Sequence, residues 1–175
     1  RTGLPTMRLT LVLLALVFAP RLYGADKPIP PKEAPSKMTV PPGFKVTLFA
    51  GEPDIVQPIA FTFDDRGRMW VVECLSYPKW TADGKGKDRV VVLEDTNDDG
   101  RMDKRTVFLD KLVLPRAVKV LANGVLVGEP PNLWFARDTT GDLKADSKEQ
   151  VRSDFGRAEG NLEHNANGLY WGMDN

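Results

Sequence analysis

The strongest constraint on the fold is an internal repeat in which a strand runs into an acidic loop. The first copy is RVVVLEDTNDDGRMD (residues 89–103), and the second is NLWFARDTTGDLKAD (residues 132–146). The aspartates that open the two loops, Asp95 and Asp138, lie 43 positions apart. A repeat of about 40–50 residues built on strands is typical of propeller blades.

The sequence around this repeat also favours strands. Apolar and polar residues alternate in residues 44–49, which predicts a strand. Two similar runs flank Gly-containing turns and predict hairpins over residues 58–73 and 117–127, and residues 169–172 are expected to begin a third. No segment has a sustained helical period, so no long helix is predicted.

These patterns predict an all-β chain, and the repeat favours a β-propeller over a sandwich. Each four-stranded blade of a propeller buries its faces against its neighbours, so the blades must repeat along the chain. Residues 43–175 have room for about three blades, whereas a closed ring uses about four to eight. We therefore expect an N-terminal fragment of a propeller.

The first 25 residues have the features of an export signal. Arg8 supplies a positive charge, an apolar run of 11 residues follows at 9–19, and residues 22–25 offer a cleavage site. The run is shorter than the roughly 20 residues that a membrane-spanning helix needs. We expect residues 1–25 to comprise this signal and the residues upstream of it. The mature protein is expected in the periplasm or cell envelope, with membrane association left open.

Composition narrows the remaining possibilities. Residues 26–42 contain six prolines among Lys, Glu and Ser, which favours an extended linker before a folded part that begins near Gly43. Basic and acidic residues balance at 24 each, so no overall field favours nucleic acid. The single cysteine, Cys74, excludes an internal disulfide, and the sequence has no CxxCH haem motif.

The first acidic loop has the residue pattern of a calcium site. Residues 95–100 fit D-x-[DN]-x-[DN]-G, in which alternate residues direct oxygen ligands inward and Gly permits the bend. Thr106 stands where an EF-hand has its bidentate Glu, so the loop is not an EF-hand. The alternative is an acidic, solvated turn. The predicted calcium ligands are Asp95, Asn97, Asp99 and Asp103.

The second acidic loop is a weaker metal candidate. Leu143 stands at the position that Gly occupies in the first copy, and Gly141 is shifted by two positions. A structural turn is therefore favoured here over calcium. The weaker candidate ligands are Asp138, Thr140, Asp142 and Asp146.

His164 is the only histidine and the candidate catalytic residue. A lone histidine is more often a hydrogen-bonded structural residue than a catalyst. The surrounding NLEHNAN (residues 161–167) is polar and loop-like, however, and an imidazole there could serve as a general base near neutral pH. Polar residues near other strand ends are expected to form turns and bonds between sheets: Glu73, Tyr77, Asp88 and Arg89. The four tryptophans, at 70, 80, 134 and 171, are expected to pack rather than to bind sugars, although Trp80 lies in a polar loop.

Several of these stretches together resemble the membrane-bound dehydrogenase family of planctomycetes. They are PPGFKVTLFAGEPDIVQPIAFTFDDRGRMWVVECLSYPKW, DRVVVLEDTNDDGRMDKRTVFLDKL, VGEPPNLWFARDTTGD and EHNANGLYWGMDN, and the resemblance runs from about residue 41 to residue 175. It implies a β-propeller, which in that family often precedes helical repeats and a cytochrome c domain. The family's acidic loop reads DTDGDGKAD, from which Thr140 and Leu143 depart.

That family is in turn distantly similar to soluble quinoprotein glucose and sorbosone dehydrogenases. His164 and the residues after it are similar to the segment H-x4-[RG]-L-x2-G-x-D, which carries the catalytic base of those enzymes. The resemblance implies that His164 takes a proton from a sugar hydroxyl or hydrated aldehyde while hydride passes to pyrroloquinoline quinone. A cytochrome c would receive the electrons, with haem only in a downstream domain; the quinone-binding residues stay unassigned. The alternative is a non-catalytic, calcium-stabilised propeller that binds glycans or a protein.

Overall fold

A computed structural model describes residues 27–81, 85–157 and 164–173. Eight strands form two four-stranded antiparallel sheets, and each sheet follows chain order. The first sheet contains β1 (Pro58–Phe63), β2 (Met69–Glu73), β3 (Asp88–Glu94) and β4 (Lys104–Leu112). The second contains β5 (Ala117–Leu121), β6 (Gly124–Glu129), β7 (Asn132–Arg137) and β8 (Ser147–Arg152). In this part of the chain the only helix is a 3₁₀ turn, Ala34–Lys37, so the all-β prediction is confirmed.

Local sequence accounts for both hairpins. β1 pairs with β2 and β5 pairs with β6, as the alternating patterns predict. Asp64 closes the first turn, because one of its carboxylate oxygens accepts the N–H groups of Arg66 and Arg68 at 3.0 Å. Its other oxygen accepts the side-chain N–H groups of Arg68 at 2.7 Å and Trp70 at 2.9 Å. The same carboxylate therefore holds the turn and the start of β2.

Two predicted strands do not form. Residues 44–49 and 169–172 keep their apolar periodicity, but neither stretch pairs with a strand in the described chain. A strand needs a neighbouring edge for its backbone hydrogen bonds, and periodicity alone cannot supply one. Phe44 is accordingly 73% exposed. Those two strand predictions are wrong for this structure.

The main core lies between the two sheets. Trp70 and Phe108 of the first sheet meet edge to face, with ring centroids 4.8 Å apart. Valines of both sheets pack around them and are buried: Val72, Val90 and Val92 in the first, and Val118, Val125 and Val127 in the second. Burial of this apolar surface is the principal force that holds one sheet against the other.

The two sheets have the same orientation, so that one face of the second sheet packs against the opposite face of the first. The second sheet packs on the first through a face that carries Val118, Val127 and Ala136. The equivalent positions of the first sheet are Phe61, Val71 and Leu93, on the face that turns away from the second sheet. The contact is thus head to tail, which is the arrangement that can be repeated indefinitely or closed into a ring.

Part of that outer face is covered by the chain before β1. Phe49, Ala50 and Ile55 pack against Val71 and Val91. The Pro-rich stretch reaches the same place, since a Cβ added to Gly51 would lie 2.6 Å from Pro31. Over β1, in contrast, three side chains stay exposed: Ile59, Phe61 and Phe63.

The predicted export signal, residues 1–25, lies outside the described residues. Among the residues that are described, no helix has the length and apolar character needed to cross a membrane.

Candidate functional site

The two acidic loops, residues 95–103 and 138–146, fold in the same way. The first aspartate of each accepts three backbone N–H groups of its own loop at 2.7–3.3 Å: Asp95 from Asn97, Asp99 and Gly100, and Asp138 from Thr140, Gly141 and Leu143. The last aspartates, Asp103 and Asp146, each accept both the N–H and the hydroxyl of a threonine. The opening and closing aspartates therefore make equivalent hydrogen bonds in the two loops, while the expected difference in calcium binding stays a prediction.

The shifted glycine explains how different sequences reach one conformation. Each loop has two residues with positive φ, separated by one position. They are Asp98 and Gly100 in the first loop, at 60° and 80°, and Gly141 and Leu143 in the second, at 82° and 63°. Each loop thus places its glycine at one left-handed position and tolerates a side chain at the other.

The backbone hydrogen bonds lower the pKa of both opening aspartates. Desolvation raises the pKa of each carboxyl, but the N–H groups that surround Asp95 and Asp138 together outweigh it. Because the folded pKa lies below the ordinary value of 3.8, the loops contribute stability above that pH. This contribution is lost as the pH falls through the folded pKa.

Each loop also donates one backbone hydrogen bond to a neighbouring segment of the chain. Met102 of the first loop donates its N–H to the carbonyl of Phe49 at 2.9 Å, and Ala145 of the second donates to the carbonyl of Phe108 at 2.7 Å. Phe108 belongs to β4 of the preceding sheet. The segment around Phe49 therefore makes the same kind of backbone contact with the first loop that β4 makes with the second loop.

The loop oxygens that could bind calcium are largely turned toward the loops' own donors. Asp99 accepts the N–H of Arg101 at 2.8 Å, and Asn97 accepts the N–H of Asp99 at 3.0 Å. Within the described residues, no group of three or more His, Cys, Asp or Glu is arranged to hold a metal ion. Carboxylate and amide oxygens suit calcium, but this arrangement does not bring enough of them around one point, so calcium binding stays a prediction.

Calcium, if it binds the first loop, should stabilise the protein. We expect added calcium to raise the melting temperature and chelation to lower it, because a ligand that binds only the folded state shifts unfolding by mass action. Asp95→Ala should remove this dependence. Asp138→Ala is the matched control, because it loses the same number of backbone hydrogen bonds in the loop whose sequence fits calcium less well, and it should keep the response to calcium. Differential scanning calorimetry measures both. A melting temperature of the unsubstituted protein that does not respond to calcium would contradict the prediction.

The opposite end of the sheets contains three buried carboxylates: Glu73, Asp88 and Glu129. Each accepts a backbone N–H group from the residues that lie just before the first strand of a sheet. Glu73 accepts the N–H of Val56 at 2.8 Å, Glu129 accepts that of Val113, and Asp88 accepts that of Leu114 at 2.7 Å. The segment that connects the first sheet to the second is therefore bound by Asp88 of the first sheet and by Glu129 of the second.

These contacts belong to a second internal repeat. The pentapeptides VQPIA (residues 56–60) and VLPRA (residues 113–117) lie 57 positions apart. Gln57 and Leu114 have φ of 45° and 50°, so both turns have the same unusual backbone. The shared V-x-P-x-A pattern is a sequence signal that could have predicted these turns. Glu73 and Glu129, which bind the two turns, are equivalent residues at the ends of β2 and β6.

Asp88 also organises the loop after β2. Ser76 donates both its N–H and its hydroxyl to Asp88, at 2.7 and 2.5 Å. The neighbouring Cys74 is buried, and desolvation together with the charge of Asp88 raises the pKa of its thiol to about 11. The thiol therefore stays protonated near neutral pH, as expected of a packing residue rather than a nucleophile.

His164 is exposed, and its place in the fold follows from that of its neighbour Asn165. Its neighbour Asn165 accepts the N–H of Arg157 at 2.9 Å and donates to the carbonyl of the same residue. A Cβ on Gly156 would contact both Asn165 and Pro130, which places the segment beside the β6–β7 turn. The structure thus separates the candidate base from the candidate metal ligands. Glu163 lies outside the described residues.

The tryptophans divide between the core and the surface. Trp70 is buried, and the indole N–H of Trp134 donates to Glu129 at 2.5 Å. Trp80 and Trp171 are 47% and 64% exposed. Packing therefore accounts for the first two, whereas the packing expected of Trp80 and Trp171 is wrong for this structure.

The fold and these sites define a repeated all-β domain. A family described as a domain of unknown function, DUF7133, matches residues 30–175. The chain belongs to that family. No curated protein and no solved structure matches it.

Proposed function

We propose that the two sheets are consecutive blades of a β-propeller and that the domain is an exported, quinoprotein-like dehydrogenase acting on a sugar or related alcohol or aldehyde. The head-to-tail stacking supports the propeller, because equivalent faces meet in the same order in every blade of a ring. The outer face of the first sheet, with Phe61 exposed, is then the place where a neighbouring blade packs.

The inner strands of such a ring line its axis. β1 and β5 are in contact, and Gly168–Tyr170 line one narrow cleft together with Ala60–Thr62 and Ala117–Lys119. In the proposed ring, the segment after His164 would lie beside the inner strands of both blades. In such a ring His164 would lie near one end of the axis, and the exposure of its imidazole is the observation that supports the proposed role.

In that position an exposed imidazole can act as a general base. In its neutral form it accepts the proton of a substrate hydroxyl, which assists loss of hydride from the adjacent carbon. When bound, pyrroloquinoline quinone would supply the hydride acceptor. The described neighbours of His164 do not by themselves form a quinone site, because the side chain of Asn165 is committed to the backbone of Arg157. A cytochrome c is the proposed electron acceptor.

His164→Ala tests this function. In the protein supplied with pyrroloquinoline quinone and calcium, we expect glucose- or sorbosone-dependent reduction of a dye to fall by about 10²–10⁴-fold, the range for loss of a general base. Asn123→Ala, in the turn at the opposite end of the sheets, should leave the rate unchanged. Circular dichroism checks that both variants fold.

The possible results distinguish an error in the assignment of His164 from an error in the proposed dehydrogenase function. Full activity in His164→Ala would reject His164 as the base. No dye reduction by the unsubstituted protein with any sugar or aldehyde tested would reject the dehydrogenase and favour a non-catalytic propeller that binds glycans or a protein.

A further inference from the structure

The two sheets leave a cleft between them at the end where the acidic loops lie. Its volume is about 650 Å³, within the range of about 300–1,000 Å³ that small-ligand sites have. The walls come from the β1–β2 turn, the end of β5, the second acidic loop and Trp171. Four separate parts of the chain therefore converge on one space.

The charged side chains of the cleft balance one another. Three are cationic and three are acidic: Arg66, Arg68 and Lys119, and Asp64, Asp65 and Asp138. Asp64 is bound by the turn and by Arg68, and Asp138 is bound by its own loop. A ligand with a net charge would gain no overall attraction here, whereas a neutral ligand with many hydroxyl groups would find both donors and acceptors.

Trp171 gives the cleft an aromatic wall. The indole is 64% exposed, and the ammonium of Lys119 lies 5.5 Å from its ring centre. An exposed indole provides a flat apolar surface beside a charged hydrogen-bond donor. Sugar rings match this combination, because their C–H faces are apolar and their hydroxyl groups project from the edges.

We propose that this cleft binds a neutral oligosaccharide. Trp171 stacks against a sugar ring, Arg66 and Lys119 donate hydrogen bonds to its hydroxyl oxygens, and Asp65 accepts bonds from its hydroxyl groups. The cleft lies at the opposite end of the sheets from His164. It is therefore a binding site separate from the proposed dehydrogenase site, and it does not depend on dehydrogenase activity.

Binding of neutral trisaccharides tests the site. Cellotriose, maltotriose and xylotriose are titrated into the protein, with isothermal calorimetry and tryptophan fluorescence as readouts. We expect saturable binding of at least one of them, and Trp171→Ala should weaken it by about tenfold or more through loss of the stacking surface. Trp80→Ala is the matched control, because Trp80 is exposed but does not line the cleft.

Three results would overturn the assignment. They are no saturable binding of any of the three sugars, binding only of the acidic trisaccharide trigalacturonate, and equal weakening by Trp171→Ala and Trp80→Ala. Because Trp171 is exposed, its replacement should not unfold the protein, and circular dichroism checks this. His164→Ala should bind as the unsubstituted protein does, so that loss of dehydrogenase activity and loss of sugar binding are distinguishable.

Discussion

Glu73→Gln should lower the free energy of unfolding by about 3 kcal/mol, the lower end of the range for breaking a buried ion pair. The Glu73 side chain is fully buried, and one of its oxygens lies 2.5 Å from Nε of Arg89 and 2.9 Å from the guanidinium of Arg105. An amide at this position leaves both cations without a compensating charge. The arginine side chains are 29% and 24% exposed, so water relieves part of the loss and the lower end is expected.

The substitution also loosens the entry to the first sheet. The other carboxylate oxygen of Glu73 accepts the N–H of Val56, and an amide group in the wrong orientation cannot accept it. Urea unfolding measures the change. Glu149→Gln is the matched control, because Glu149 pairs with Arg137 at 2.9 Å but its side chain is 58% exposed. The control should lose less than about 1 kcal/mol; equal losses would show that Glu73 is not a buried anchor in solution.

Local patterns were sufficient to predict the elements whose partners are adjacent in sequence. The hairpin β1–β2 follows from an alternating run and a turn that Asp64 closes, and β3 and β7 follow from the 43-residue repeat. Residues 44–49 show the limit. Their alternation has the right period, but the described chain offers no edge for them, and pairing depends on residues far away in sequence.

The candidate sites were harder to predict, because their geometry depends on backbone conformation. Leu143 departs from the glycine pattern of the first loop, yet it adopts the positive φ that Gly100 adopts there. The partners of Glu73 and Glu129 depend on which N–H groups the fold brings to them, and the V-x-P-x-A repeat marks the turns that supply those groups. The separation of His164 from the acidic loops likewise follows from the contacts of Gly156 with Asn165 and Pro130 rather than from any motif.

Phe108→Ala should destabilise the protein by about 3–5 kcal/mol, the usual range for removing a buried phenylalanine ring. Its ring is 3% exposed and packs edge to face on Trp70 in the core between the sheets. Truncation would leave a cavity at the contact that joins the two sheets, which tightly packed neighbours cannot fill. Urea unfolding measures the loss. Phe44→Ala is the control, because Phe44 is 73% exposed and should change stability by less than about 0.5 kcal/mol.

Phe61→Ala then distinguishes a ring from an isolated pair of sheets. Phe61 is equivalent to Val118, which packs against the first sheet, but its own ring is 64% exposed. If the sheets are blades of a propeller, a neighbouring blade covers Phe61 in the assembled protein, and its truncation should cost about 3 kcal/mol or more. Urea unfolding of the assembled protein measures the loss. A value below about 1 kcal/mol, with Phe108→Ala still strongly destabilising, would mean that the stack ends at the first sheet and would contradict the propeller.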